Sequence, residues 1–423
     1  MPDFNTARSP LDIGKEWDAI VIGAGPSGAL AAYLLAQKFN KVLLVDKAKF
    51  PRSKVCGCCI NLAAVDILES CSLSHILQDQ NAVSLSKLKL FENDRQASVQ
   101  LPGGFSLSRS QFDNALTNAA IRSGVTFLSE TTATVLQATQ SEKKPQEQAT
   151  SSKNAVQHAT PSERIVQLQN GSAKETFSGK VVLVADGLGG HSLNQINELD
   201  FVTEATSRFG CGTIIDEGPD FYEPGCIYMV CAHDGYVGLV RLEDGRIDVA
   251  AALDRQYSRK YGGPAAACIE IIKSSRLPVP EALMTAQWNG TESLTRRRKE
   301  IAAERIFVIG DACGYAEPFT GEGIAWALTS AVGVADLAAE AINCWSPYLI
   351  RKWQQKHETM LSFRQKRSRL IAHALRKDAI RRCALPLITS FPALANLVIQ
   401  DVSRKVTIPA ADGKTRAELC RQQ

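Results

Sequence analysis

The chain has 423 residues, 45% of them hydrophobic, which is enough for two or three structural units or one large domain carrying an insertion. Its 48 basic and 44 acidic residues leave a net charge of +4, too balanced to argue for nucleic acid as a partner. The polar, mixed-charge stretch Met1 to Trp17 does not read as a secretory signal, so the twelve cysteines are expected to be mostly free thiols in a reducing, cytoplasmic compartment.

Trp17 to Gly23 predicts a short buried strand, Ser27 to Gln37 an apolar helix and Lys41 to Asp46 a second buried strand, together a βαβ unit. Glycines and Pro26 break the apolar run from Ala19 to Leu35, so it is not a membrane span, which takes about 20 uninterrupted apolar residues. The turn reads Gly23-x-Gly25-Pro26-Ser27-Gly28. The first glycine suits a tight turn, the second lets backbone approach a pyrophosphate, and the third lets helix and strand pack closely. The helix start at Pro26 and Ser27 offers free N–H groups to phosphates. Asp46, with Lys47 beside it, stands where a carboxylate can accept bonds from a ribose. This pattern predicts a dinucleotide site without choosing between FAD and NAD.

Cys56-Gly57-Cys58-Cys59 follows at the predicted start of a helix, Asn61 to Ser70. Cys56 and Cys59 have the spacing of a redox dithiol, and a helix N-terminus favours a thiolate. A zinc site needs more ligands than the sequence groups here, and no metal is expected.

Residues 139–163 are almost devoid of large apolar side chains and read as a flexible surface insertion between strands Ala133–Ala138 and Arg164–Leu168. Val181 to Ala185 is another buried strand, ending at Asp186-Gly187. Residues 198–290 read as strand-rich, with alternation in Tyr236–Arg241 and Ile247–Ala251, and predict an inserted mixed-sheet domain.

Ile306 to Ile309 returns to the buried-strand pattern and ends at Gly310-Asp311. Pro318-Phe319-Thr320-Gly321-Glu322-Gly323 and a helix from Ile324 follow. Asp311 can bond a polyol hydroxyl, Gly321 and Gly323 let backbone lie against a flat ring, and the helix start favours negative charge there. A reduced flavin carries such charge, so this second motif selects FAD. From Ile324 onward the pattern is helical, and Arg351 to Arg382 holds eleven Lys or Arg against Glu358 and Asp378. Either this is a solvated helix face or it contacts an anionic membrane surface.

The set Gly23-x-Gly25-x-x-Gly28, Asp46, Arg109, Asp186-Gly187 and Gly310-Asp311…Pro318…Gly321-x-Gly323 resembles the p-hydroxybenzoate-hydroxylase-like FAD superfamily. The run Phe50-Pro-Arg-Ser-Lys-Val-Cys56-Gly57 is similar to the branch holding geranylgeranyl reductases, flavin monooxygenases and flavin halogenases. The resemblance implies that Gly23, Gly25 and Gly28 hold the pyrophosphate, Asp46 the ribose, and Arg109 the cofactor from a helix. It further implies that Asp311 binds the ribityl or pyrophosphate region and that residues 318–323 border the isoalloxazine. It also gives the cysteine loop a third reading, a structural loop whose Cys56 faces the flavin.

The departures are as informative. No arginine follows Asp186-Gly187 as in many hydroxylases of the superfamily. None of the five tryptophans is two residues from another, against the Trp-x-Trp-x-Ile-Pro of tryptophan halogenases. Tyr228 to Tyr236 lacks the Tyr-x-Trp-x-Phe-Pro of geranylgeranyl reductases. No second glycine-rich βαβ unit is present to hold NAD(P)H, so that reductant is expected to visit the FAD site transiently.

The expected fold is a Rossmann-like α/β FAD-binding domain in two parts, 1–197 and 291–340. An inserted β-sheet substrate domain occupies 198–290 and a helical segment 341–423. The expected activity is FAD-dependent oxidation–reduction of an apolar or aromatic small molecule, as monooxygenase or reductase. Saturation of C=C bonds in a lipid and thiol–disulfide exchange through Cys56 and Cys59 are the alternatives. Candidate acid, base or steering groups are Cys56, His233, Tyr236 and Glu322.

Overall fold

The computed structural model describes residues 13–137, 163–317, 319, 321–390 and 401. The predicted insertion at 139–163 and Pro318 lie outside the described residues, apart from Glu163. In chain order, the elements that build the site start with strand β1 (Glu16–Ile22), helix α1 (Pro26–Ala36) and strand β2 (Val42–Val45). Helix α2 (Leu62–Ser70), strands β3 (Lys87–Glu92) and β4 (Arg95–Gln100), helix α3 (Arg109–Arg122) and strand β5 (Thr126–Leu128) follow. Next come β6 (Thr132–Val135), β7 (Arg164–Asn170) and β8 (Ala173–Val184). A second run of strands, β9 (Phe209–Ile215), β10 (Cys226–Ala232), β11 (Gly235–Arg241) and β12 (Ile247–Leu253), leads to helix α4 (Pro264–Ser274). The chain continues through β13 (Asn289–Ser293), β14 (Ala302–Ala303), β15 (Ile306–Val308), α5 (Gly323–Asn343), α6 (Tyr348–Leu375) and α7 (Asp378–Ser390).

The first sheet runs β14-β15-β8-β1-β2-β5, with β7 on the lower half of β8 and β6 beyond it. Its centre is parallel: Ile20 pairs with Val182 and with Leu43. These strands are apolar throughout because a parallel sheet is covered on both faces. Helices α1 and α5 pack together on one of them. Helix α5 is long and apolar enough to cross a membrane by length and composition, but most of it is buried in this core.

The second sheet runs β13-β9-β12-β11-β10-β3-β4. One face buries Ile247, Val249 and Leu253 against Cys268 and Ile272 of α4; the other faces the cavity described below. The sequence assigned this sheet to 198–290. Two of its strands, β3 and β4, come instead from residues 87–100, because β3 pairs in parallel with β10. A local pattern cannot register a pairing between strands some 140 positions apart in the chain.

The basic stretch 351–382 is only partly the solvated face that its composition suggested. Arg364 and Arg367 reach Glu322, Arg376 reaches Asp254, and Arg381 reaches Glu92 and Asp378. Arg381 and Glu92 are both buried. These pairs clasp α6 and α7 to the body of the fold, which positions the two helices over the open face of the second sheet.

Candidate functional site

A cavity of about 1350 Å³ runs between the two sheets and under α6 and α7. Ordinary small-molecule sites measure roughly 300–1,000 Å³, so there is room for a dinucleotide and a second molecule.

One end is built by the β1–α1 turn. Gly23 has φ +99°, and a Cβ there would stand 2.4 Å from the Ala185 carbonyl oxygen. A Cβ on Gly28 would stand 1.8 Å from the Gly23 carbonyl oxygen. Gly25 differs: a Cβ there would meet only the guanidinium ends of Arg52, at 3.4 Å, and Arg109, at 4.0 Å. Two glycines thus allow the close packing of strand and helix, and the third leaves backbone open to the cavity. Helix α1 starts with Pro26 and has no side-chain cap, so its first N–H groups remain available to an anion.

Two cations stand over this turn. Arg109 makes a two-pronged pair with Asp113, Nε to Oδ1 and Nη2 to Oδ2, both 2.8 Å. Arg52 shares the same carboxylate at 3.1 Å. Asp113 is fully buried and Arg109 nearly so. Arg52 also lies 3.7 Å from Asp46, and the remaining N–H donors of the two guanidinium groups beside Gly25 suit a pyrophosphate. Arg52 was missed from sequence although it lies in the run that carried the family resemblance; its partner lies 61 positions away.

Asp46 lines the cavity and braces it. Its Oδ2 accepts from the Ala24 N–H and its Oδ1 from the Ala48 N–H, both at 2.8 Å. Each carboxylate oxygen has a second lone pair for a ribose hydroxyl. Lys47 is exposed at the rim. Further along, Asp186 accepts from the N–H and hydroxyl of Ser192 through Oδ2, while its buried Oδ1 has no partner. Gly187 has φ +74° and lies against Lys54, whose Nζ is 3.5 Å from Asp311. Gly310, at φ +61°, packs on Ser27, which couples the second motif to the start of α1. Gly321, with φ +70°, adjoins Cys59, and Gly323 opens α5 with Ile324 buried behind it.

An open-backed glycine, two guanidinium groups, a free helix start and an orphaned carboxylate oxygen fit an FAD laid along this end of the cavity. The residues that would hold it are Gly25, Ser27, Asp46, Arg52, Arg109, Asp186 and Asp311.

The four catalytic candidates separate. Cys56 and Tyr236 line the cavity. The Cys58 thiol donates to Cys56, and Arg109 lies close by, so the Cys56 pKa is lowered. Burial and Cys56 push Cys59 the other way, and the Cys59 thiol donates to the Gly57 carbonyl at 3.0 Å. The hydrogen-bonded partner of Cys56 is thus Cys58, and all the described cysteines are free. Among the described residues no group of three or more His, Cys, Asp or Glu could hold a metal ion. Tyr236 is buried, packs edge-on against Phe319 with centroids 5.0 Å apart, and keeps its proton because burial raises its pKa.

His233 does not face the cavity. It sits at the turn joining β10 and β11, its carbonyl held by buried Arg208, and its ring lies outside, 2.9 Å from Asp378. Glu322 lines no part of the cavity either. Its buried carboxylate is 2.8 Å from Arg367 and 3.4 Å from Arg364, an anchor rather than an acid or base. Glu322→Ala is expected to cost about 3–5 kcal/mol, the usual penalty for orphaning buried charges, read as the urea midpoint of the holoprotein. An unchanged midpoint with lost turnover would return Glu322 to the catalytic set.

The far end of the cavity is apolar. Leu88 and Leu90 of β3, Met229 of β10, and Leu375, Leu385 and Ile388 of the C-terminal helices line it.

A family model described as an FAD binding domain matches residues 16–357. The digeranylgeranylglycerophospholipid reductase 2 of Methanosphaera stadtmanae is 24% identical over 341 residues, 78% of this chain and 79% of that protein. Conditioned medium factor receptor 1 of Dictyostelium discoideum is 23% identical over 336 residues, 74% of this chain and 61% of that protein. The matches to the first curated relatives span less than two thirds of those proteins' lengths. Among solved structures, a triple mutant of a flavin-dependent brominase superposes with TM-score 0.72 at 13% identity, covering 92% of this chain and 94% of the other. That likeness is one of fold.

Proposed function

The chain belongs to the FAD-binding family matched over residues 16–357 and is an FAD-dependent oxidoreductase of that family, and from this premise we propose that it reduces an apolar molecule held in the far end of the cavity. The observation that carries the reading is the continuity of the cavity from the glycine turn to the wall of Leu88, Leu90, Leu375 and Leu385. FAD, when bound, supplies the two-electron chemistry. The protein excludes water through the apolar wall and orients the substrate between the second sheet and α6 and α7. Tyr236 presents a protonated hydroxyl, and Cys56 a negative sulfur, at the boundary between the two ends. Two of the longer curated matches are named digeranylgeranylglycerophospholipid reductases, which supports reduction. NAD(P)H is the proposed reductant, docking transiently.

The test is anaerobic. Holoprotein reduced with NADPH or NADH is mixed with detergent-dispersed geranylgeraniol or menadione, and flavin absorbance is followed beside free reduced FAD. Reoxidation faster than that of free FAD, without oxygen, is the expected result. Reoxidation by oxygen alone, with an oxygen atom recovered in an apolar product, would replace reduction by monooxygenation. An increase of two thiols on flavin reduction would favour disulfide exchange at Cys56.

A further inference from the structure

Asp248 was not singled out in the sequence, yet it is an acidic side chain on the sheet face of the cavity. Strand β12 turns Ile247 and Val249 into the core beneath α4, so the residue between them, Asp248, faces the opposite way. It is 5% exposed, and its Oδ2 is buried with no hydrogen-bond partner. An orphaned buried oxygen costs about 1–3 kcal/mol unless something meets it.

Its surroundings decide its chemistry. The charged and titratable groups near it are Cys56, Cys58, Cys59, Arg109 and Glu243. Cys58 hydrogen-bonds to it and has a single S–H, which it shares with Cys56. Glu243 is occupied by the N–H and hydroxyl of Ser108. Arg109 is committed to Asp113 through two bonds. Burial first, then the neighbouring Cys56, push the Asp248 carboxyl well above the usual carboxylate range, which favours its protonated form, against the weaker opposing pull of Cys58 and Arg109. A protonated carboxyl is a donor. Cys58 itself sits at φ +51°, a strained conformation for a non-glycine residue of the kind that collects at functional sites.

Beside Asp248 the sheet carries small residues: Ala250 of β12 and Gly238 of β11 stand in one register row and line the cavity, bounded by Met229 of β10, whose side chain leans toward Gly238. A flat or slender molecule can lie there within reach of the carboxyl.

We propose that Asp248 recognises the polar end of the substrate, donating a hydrogen bond to a carbonyl-type oxygen on an otherwise apolar molecule lying against Ala250 and Gly238. The assignment rests on the apolar-substrate reading above and narrows it to molecules with an oxygen acceptor at one end.

The test uses oxidised holoprotein and two probes of similar shape, 2-acetylnaphthalene and 2-isopropylnaphthalene. Dissociation constants are taken from flavin difference spectra for wild type, Asp248→Asn, Asp248→Ala and Asp248→Leu. The expected result is that the ratio of the two constants moves about tenfold toward the hydrocarbon in Asp248→Ala and Asp248→Leu, the size of one net hydrogen bond. Asp248→Asn, whose amide can still donate, keeps most of the ketone preference. Either apolar variant suffices provided it retains FAD. A ratio unmoved in both overturns the role of Asp248 and leaves the apolar-substrate reading standing. Failure of wild type to bind either probe overturns that reading and the inference together.

Discussion

Gly28→Ala is expected to lose both stability and FAD, whereas Gly25→Ala loses FAD alone. At Gly28 the new methyl would stand 1.8 Å from a backbone oxygen, and strand β1 and helix α1 must move apart to admit it. Overpacking of a tight core usually costs about 1–3 kcal/mol, and a backbone obstacle that cannot rotate away places this site at the upper end. The same movement spreads the turn that would hold the pyrophosphate, so FAD affinity is expected to fall by about 100-fold or more, equivalent to about 2.7 kcal/mol. At Gly25 the methyl meets only the movable end of Arg52. The apoprotein should unfold at the wild-type urea concentration, while the methyl stands where the pyrophosphate approaches. Urea unfolding of apoprotein and fluorescence titration with FAD separate the two effects. A Gly25→Ala protein that binds FAD as wild type does would mean that the pyrophosphate lies elsewhere.

Asp113→Ala should be the most destabilising single change in the cofactor end. It removes three ion-pair contacts from a fully buried carboxylate and leaves Arg109 with Cys56 and Arg52 with the more distant Asp46 as their remaining partners. Breaking a buried pair from one side costs about 3–5 kcal/mol. Because two arginines lose this partner, the loss should exceed that of Arg52→Ala, which leaves Arg109 and Asp113 paired. Arg52→Ala should instead weaken FAD binding with little loss of stability. Denaturant midpoints of the two apoproteins give the comparison; equal midpoints would show that Arg52 and Asp113 do not share one network.

The difference between these residues explains how much could be read from sequence. Gly23, Gly25, Gly28 and Asp46 act within one βαβ unit, where strand, turn and helix are consecutive, so their spacing carries their geometry. Gly310, Asp311 and Gly321 are legible for the same reason. Arg52 and Asp113 meet only in three dimensions, from a loop and helix α3, as do Asp248 of β12 and the cysteine loop, and no local pattern marks them. The hairpin β3–β4 was missed because its partner strand, β10, lies far along the chain. His233 was a candidate acid, base or steering group, but it stands with Asp234 in the turn between β10 and β11, where a one-residue change carries a side chain from cavity to solvent. In the C-terminal helices the arginines were counted correctly and their direction was not, since the buried carboxylates that hold them, Glu322 and Glu92, belong to other parts of the fold.

The central claim is that one continuous cavity holds FAD at its glycine end and an apolar molecule at the other. A crystal structure of the holoprotein grown with FAD and soaked with an aliphatic alcohol such as dodecanol tests this most directly. The account predicts the pyrophosphate over Gly25 beside Arg52 and Arg109, and the alkyl chain between Leu88 or Leu90 and Leu375 or Leu385. FAD density reaching into the leucine-lined end, or an alkyl chain bound only outside it, would contradict the account.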